Sequence, residues 1–259
     1  MKIRDSIDVV NKDNKKALAV FLTAGFPDKN KFIEYAKAAI DGGADILEIG
    51  IPFSDPLADG PVIQASSSIA LKQKFTIKDI FNFIETIRNY SDIPAVLMGY
   101  ANPINKYGKE KFLIDSSNSG ANGLIVPDIP LEEYDFFFPA NNHGLDIILL
   151  TTPTSSEERI QAIDKKSAGF VYCVSVTGTT GADKKFDDST VEHLKRTYSL
   201  ITKNKMMIGF GISKPEDIRK FYDYADGFIV GSRIIKSILE GVEPAGISEA
   251  VKQFRNACN

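Results

Sequence analysis

The sequence predicts an α/β protein: a single (β/α)8 TIM barrel with an extra N-terminal helix, forming one domain over residues 1–259. Three observations predict it. Short apolar, β-branched runs recur eight times, amphipathic stretches of helical period separate them, and no linker, low-complexity tract or break in composition divides the chain. An open doubly wound sheet is the alternative assembly of the same units.

Residues Ile3–Val10 read as a short helix ahead of the first strand, placed to cover the bottom of a barrel. The strand candidates are Ala17–Gly25, Asp45–Pro52, Pro94–Tyr100, Gly123–Pro130, Asp146–Thr152, Gly169–Val176, Met206–Ser213 and Gly227–Ile235. Most are apolar along their whole length, as parallel strands covered on both faces require. Between them, Lys31–Ile40, Ile77–Ile87, Glu157–Ile163, Val191–Ile201 and Pro215–Tyr224 carry apolar residues at helical spacing. Asp28 is placed to cap the first of these and Gly42-Gly43 to end it, while Ser155 precedes Glu157-Glu158 and Gly169 closes that unit. Asn105–Ser119 and Leu131–Ala140 are less regular. Pro139 should end or kink a helix there, and Phe136-Phe137-Phe138 before it reads as core.

Thirty-one basic against 34 acidic residues leave a formal net charge of −3, which offers no electrostatic footprint for nucleic acid or an anionic membrane. Cys173 and Cys258 form no Cys-x-x-Cys pair, and His143 and His193 have no neighbour at metal-ligand spacing, so no disulfide framework or metal centre is signalled. Lys15-Lys16 and the apolar run Ala17–Gly25 read as a strand rather than a secretory leader, and no run approaches the roughly 20 apolar residues of a membrane helix. A cytoplasmic location is expected.

Leu47-Glu48-Ile49-Gly50-Ile51 is the most informative strand. Alternation sends Leu47, Ile49 and Ile51 toward the helices and Ile46, Glu48 and Gly50 toward the axis. An inward carboxylate is poorly solvated, which raises its pKa and suits it to acid and base work; a structural ion pair is the other reading. Asp59 follows a loop stiffened by Pro52 and Pro56, and Gly60-Pro61 can start a helix, so the loop can return a second carboxylate to the mouth or end in an ordinary turn residue.

Gly209-Phe210-Gly211-Ile212-Ser213 leaves the seventh strand and Val230-Gly231-Ser232 the eighth, where such barrels commonly bind phosphate through backbone N–H groups and a helix N-terminus. Neither turn is a P-loop. Thr177–Lys185, rich in glycine and charge and free of proline, is the candidate lid, with a plain flexible loop as the alternative. Tyr172, Tyr100 and Phe21 fall near strand tops, where aromatic faces could meet a flat ring or simply fill the core.

Phe21-Leu-Thr-Ala-Gly25, Glu48 through Pro61, Met98-Gly-Tyr-Ala-Asn-Pro103, Val126-Pro-Asp-Ile-Pro130, Tyr172 through Gly181, Gly209-Phe-Gly-Ile-Ser213 and Val230-Gly-Ser232 occur in this order along nearly the whole chain. In them the sequence resembles the family of tryptophan synthase α subunits; the Pro52-to-Pro61 block is the most specific part. The resemblance implies retro-aldol cleavage of indole-3-glycerol phosphate to indole and glyceraldehyde 3-phosphate, with no cofactor in this chain. It implies Glu48 as the acid/base, and Asp59 as the carboxylate that binds the indole N–H. Gly181, Gly211, Gly231 and Ser232 match phosphate contacts, and Phe21, Tyr100, Ile125, Tyr172, Thr180 and Phe210 match the indole pocket or its rim. It further implies a β-subunit partner in an α2β2 heterotetramer, which carries pyridoxal phosphate and receives the indole through a tunnel, with Pro52–Asp55, Asn102–Ile104 and Asp128–Pro130 at that interface. Val176 stands where some relatives carry arginine, Thr179 where valine is common and Arg233 where a small residue is frequent. A different phosphosugar barrel, such as an isomerase, and a purely regulatory subunit are the competing readings.

Overall fold

The computed structural model describes residues 2–138, 143–175 and 188–259. Eight strands, β1 (Ala17–Thr23), β2 (Ile46–Gly50), β3 (Ala95–Met98), β4 (Gly123–Ile125), β5 (Asp146–Thr151), β6 (Phe170–Val174), β7 (Lys205–Gly209) and β8 (Gly227–Val230), pair in parallel and in sequence order, and β8 closes onto β1. The doubly wound alternative is thereby excluded. The helices are α1 (Ile3–Lys12), α2 (Lys29–Asp41), α3 (Pro61–Lys72), α4 (Ile77–Arg88), α5 (Ala101–Tyr107), α6 (Lys109–Ser119), α7 (Tyr134–Phe137), α8 (Glu157–Lys166), α9 (Asp188–Leu200), α10 (Pro215–Phe221), α11 (Ser232–Leu239) and α12 (Pro244–Ala257). Nearly every strand residue is buried, the expected state of strands with side chains inside and helices outside.

The extra helix α1 closes the bottom of the barrel. Fully buried Ile3 lies so near the β4 and β6 starts that a Cβ on Gly123 or Gly169 would meet its side chain at 2.7 or 3.3 Å. The bottom is further tied by Asp45, whose carboxylate accepts from the Leu18 amide at 2.8 Å and from Arg255 of α12. Burial pushes the Asp45 carboxyl up, against the pull of Arg255.

Several local expectations are corrected. The strands stop short of their apolar runs: β7 ends at Gly209 and β8 at Val230, and Ser232 already opens α11, because chain at the strand tips turns outward into loops. Asp28 caps α2 through the amides of Asn30 and Lys31, but the cap of α8 is Ser156, bonded to the Arg159 amide; Ser155 instead bonds the Thr152 amide. Asn102–Ile104, expected at the interface, is helical, inside α5, with Pro103 early enough in the helix to cost no hydrogen bond. The phenylalanine triplet divides: Phe137 and Phe138 are buried, but Phe136 is 77% exposed with Lys109 over its ring, since consecutive residues of a helical turn cannot all face inward. Pro139 and the candidate lid, together with Val176 and Thr179, lie outside the described residues.

Candidate active site

A cavity of about 540 Å³ opens at the C-terminal end of the barrel, lined by Phe21, Glu48, Asp59, Tyr172, Phe210, Gly211, Gly231 and Ser232 among others. It therefore joins residues from β1, β2, β6 and the turns after β7 and β8. Catalytic groups of this architecture come from such strand ends.

Register sets the positions of the first two. Phe21 pairs with Glu48, and Glu48 with Val96, so all three project to the same, inward side. Glu48 is 1% exposed, and among the described residues neither of its oxygens has a hydrogen-bond partner. Burial alone pushes its carboxyl up to about 8. An ionised, unpaired carboxylate there would bear its full desolvation cost, so Glu48 holds its proton at neutral pH. The structural ion-pair reading finds no partner among the described residues.

Asp59 arrives on the loop between β2 and α3, which Gly60 and Pro61 end by starting α3. It is half-buried, and burial pushes its carboxyl up to about 6, with a hydrogen bond from the Tyr100 hydroxyl acting in the opposite direction. The same hydroxyl accepts the Ala58 amide at 3.2 Å, and the Tyr100 ring packs on Phe53 with centroids 5.4 Å apart. Tyr100 thus touches Asp59 from behind and does not itself line the cavity. Ile125 does not line it either: it pairs with the lining residue Met98 and is fully buried.

The wall opposite the loop is aromatic. Tyr172 and Phe210 meet edge to face at 5.9 Å. The Tyr172 hydroxyl occupies the space that a side chain at Gly209 would need, 2.1 Å from where a Cβ would stand. Burial, then the neighbouring Glu48 and Asp59, raise the Tyr172 phenol well above its usual range, so it stays neutral. Phe210 and Gly211 are both left-handed, with φ of 66° and 82°. For a phenylalanine this conformation is strained, and the buried Ser175 hydroxyl holds it by donating to the Phe210 carbonyl.

The two turns differ in what they offer an anion. At α10 the Asp217 carboxylate already takes the amides of Ser213 and Lys214, at 2.9 and 3.0 Å. At α11 the N-cap is Gly231, no side chain caps the helix, and its first turn carries no acid. Its first N–H groups and the positive end of the helix dipole are therefore available on the cavity side. Thr180 and Gly181, the remaining expected contacts, lie outside the described residues.

Several lining residues were not anticipated. Strand parity could have found Met98 and Ile229, which sit in register with Gly50 and Ala19. Val62 and Ile63 of α3 and Phe254 of α12 gave no such signal, because only the packing of those helices brings them to the cavity.

A closed barrel whose mouth holds a protonated buried acid, a second acid and an uncapped helix N-terminus defines a (β/α)8 enzyme equipped for proton transfer. The family model of the tryptophan synthase alpha chain matches residues 7–259. The tryptophan synthase alpha chain of Thermoanaerobacter pseudethanolicus is 46% identical over 254 residues, covering 98% of this chain and 96% of the relative. A solved chain from Aquifex aeolicus VF5 superposes with a TM-score of 0.91 at 34% identity over 100% of both chains, and one of M. tuberculosis tryptophan synthase with 0.88 at 28% over 99% of both. The chain belongs to the tryptophan synthase α chain family, carbon–carbon lyases that cleave indole-3-glycerol phosphate in tryptophan biosynthesis. Chains of this family partner with a β subunit, and the pyridoxal phosphate of tryptophan synthase belongs to that subunit.

Proposed function

We propose that Glu48 and Asp59 perform the cleavage and that the turns after β7 and β8 hold the substrate's phosphate. The observation that carries this reading is the separation of the two acids: burial leaves Glu48 protonated at neutral pH, while Asp59 is mostly ionised. Glu48 gives its proton to C3 of the indole ring. The positive charge that develops on the ring is stabilised by the Asp59 carboxylate, which accepts the indole N–H. The carbon–carbon bond then breaks, its electron pair returning to the ring, while the ionised Glu48 takes the proton of the side-chain hydroxyl as that carbon becomes the aldehyde. Indole and glyceraldehyde 3-phosphate leave, and Glu48 is again protonated.

The aromatic pair Tyr172 and Phe210 supports stacking of the indole, with Phe21 as the floor. Tyr100 acts through Asp59, and Ile125 packs in register with Met98. Gly211, Gly231 and Ser232, joined by Thr180 and Gly181, bind the phosphate. Residues 1–259 work as one domain and need no cofactor of their own. The assembly is an α2β2 heterotetramer in the cytoplasm, with indole passing through a tunnel to the β subunit and its pyridoxal phosphate; the exposed Leu57 and the Pro52–Asp55 loop lie at the contact. No described helix is long and apolar enough to cross a membrane.

The test is release of indole from indole-3-glycerol phosphate by the purified chain, with and without a β subunit. Glu48→Gln should cut release by about a hundredfold or more with the fold retained. Full turnover by that variant would remove Glu48 from the mechanism. Stimulation of a β subunit by a chain that never cleaves the substrate would favour the regulatory reading.

A further inference from the structure

We infer that Lys214, Arg233 and Lys236 form a cationic shelf at the outer end of the cavity that selects a dianionic phosphate monoester. The inference rests on the phosphate reading of that end and adds side-chain charge to a site otherwise built from neutral backbone.

All three side chains are exposed, and all three line the same cavity as Gly211, Gly231 and Ser232. The acids lining that cavity are Glu48 and Asp59, the first of them wholly buried. Among the described residues none of the three cations makes an ion pair, whereas Arg219 on the same helix as Lys214 pairs with Glu216 at 3.3 Å. Arg233 and Lys236 are three residues apart on α11 and so share one face of it.

One of these positions is also unfavourable without a ligand. Arg233 is the second residue of α11, so this cation sits at a positive helix end, whereas Lys214, the N-cap of α10, has Glu216 and Asp217 in the first turn to offset the dipole. α11 has no first-turn acid to offset this. The Ser213 and Lys214 amides ahead of α10 are taken by Asp217, so on that side an anion is left with the Gly211 turn and the Lys214 side chain. Conflicts of this kind between local preference and placement concentrate at functional sites. A phosphate monoester carrying about −1.5 to −2 charges at pH 7 relieves both the helix-end and the mutual repulsion.

The experiment compares wild type with Lys214→Ala/Arg233→Ala/Lys236→Ala, all exposed positions, at roughly 20 and 300 mM salt, which spans weak to strong screening. In the wild type KM for indole-3-glycerol phosphate should rise several-fold with salt. The triple variant should show KM about tenfold higher at low salt, almost no salt response, and kcat within about twofold, the signature of lost uniform binding. Arg233→Lys should keep the salt response that Arg233→Gln weakens. Calorimetric titration with glycerol 3-phosphate reads the same shelf without turnover, and glycerol is the uncharged control. Equal KM, equal glycerol 3-phosphate affinity and equal salt response in wild type and triple variant overturn the shelf. A wild type that binds glycerol 3-phosphate in a shelf-dependent way but releases no indole overturns the cleavage reading instead.

Discussion

The hydroxyl of Tyr100 hydrogen-bonds the carboxylate of Asp59, and through that contact a residue outside the cavity bears on the charge within it. Glu48 has no such donor among the described residues. The two acids diverge, at about 6 and about 8: burial raises both but is more complete at Glu48, and the Tyr100 bond holds Asp59 down.

Activity should follow a bell in pH. kcat/KM rises as Asp59 ionises near pH 6 and falls as Glu48 loses its proton near pH 8. Tyr100→Phe removes a bond to the charged form of Asp59, so the acid limb should move up by about half a unit to one unit while the alkaline limb stays. A profile of the variant that overlays the wild type would show that Tyr100 does not tune Asp59.

Glu48 should also cost stability, in a defined window. Its carboxyl titrates at about 8 when folded and near 4.5 when unfolded, so between those values the native state holds the extra proton. Stability therefore falls as pH rises from 4.5 to 8, by up to a few kcal/mol. Glu48→Gln escapes this. In urea unfolding the variant should match the wild type's pH dependence below pH 4.5, gain on it between pH 4.5 and about 8 and hold that gain at pH 9; an equal difference at pH 4 and pH 9 would count against a buried, unpaired acid.

Gly209→Ala tests the close approach of Tyr172. A methyl group 2.1 Å from the phenol oxygen forces the buried ring to move, at about 1–3 kcal/mol of stability. Because that ring meets Phe210 edge to face, KM for indole-3-glycerol phosphate should rise as well. Denaturant melts and steady-state kinetics on the same preparation check both effects.

Asp164 offers a test away from the cavity. One buried carboxylate receives the amides of Thr202, Lys203 and Asn204, at 2.8, 2.8 and 2.9 Å, and so shapes the turn that feeds β7. Asp164→Ala leaves those donors unpaired and should cost about 2–4 kcal/mol, with the Tyr100-dependent acid limb unmoved. Asp164→Asn, which keeps an acceptor, should recover part of the loss in thermal melts.

Strand number, parallel order and the inward face of Glu48 were legible because each depends on local pattern: apolar runs, intervening helical period and two-residue alternation. Strand ends were not, since an apolar residue past a strand tip looks the same whether it continues the ladder or is buried by other elements, as Ile212 and Ile234 are. The outer position of Phe136 was hidden for a similar reason, as a run of three phenylalanines carries no record of which one faces water. Family resemblance named Tyr100 and Ile125 for the pocket, but it could not separate lining it from standing behind it.

The barrel, the residue types at its mouth and the family can be read without coordinates, because alternation, helical period and a long specific motif are all written along the chain. Tertiary structure decided how those residues behave. Only folding shut water away from Glu48, turned the Tyr100 hydroxyl onto Asp59 and left the α11 N-terminus uncapped beside three cations that make no ion pair among the described residues. The reason is that desolvation, hydrogen bonding and charge proximity are properties of distance, and distances between residues far apart in the chain exist only once it has folded.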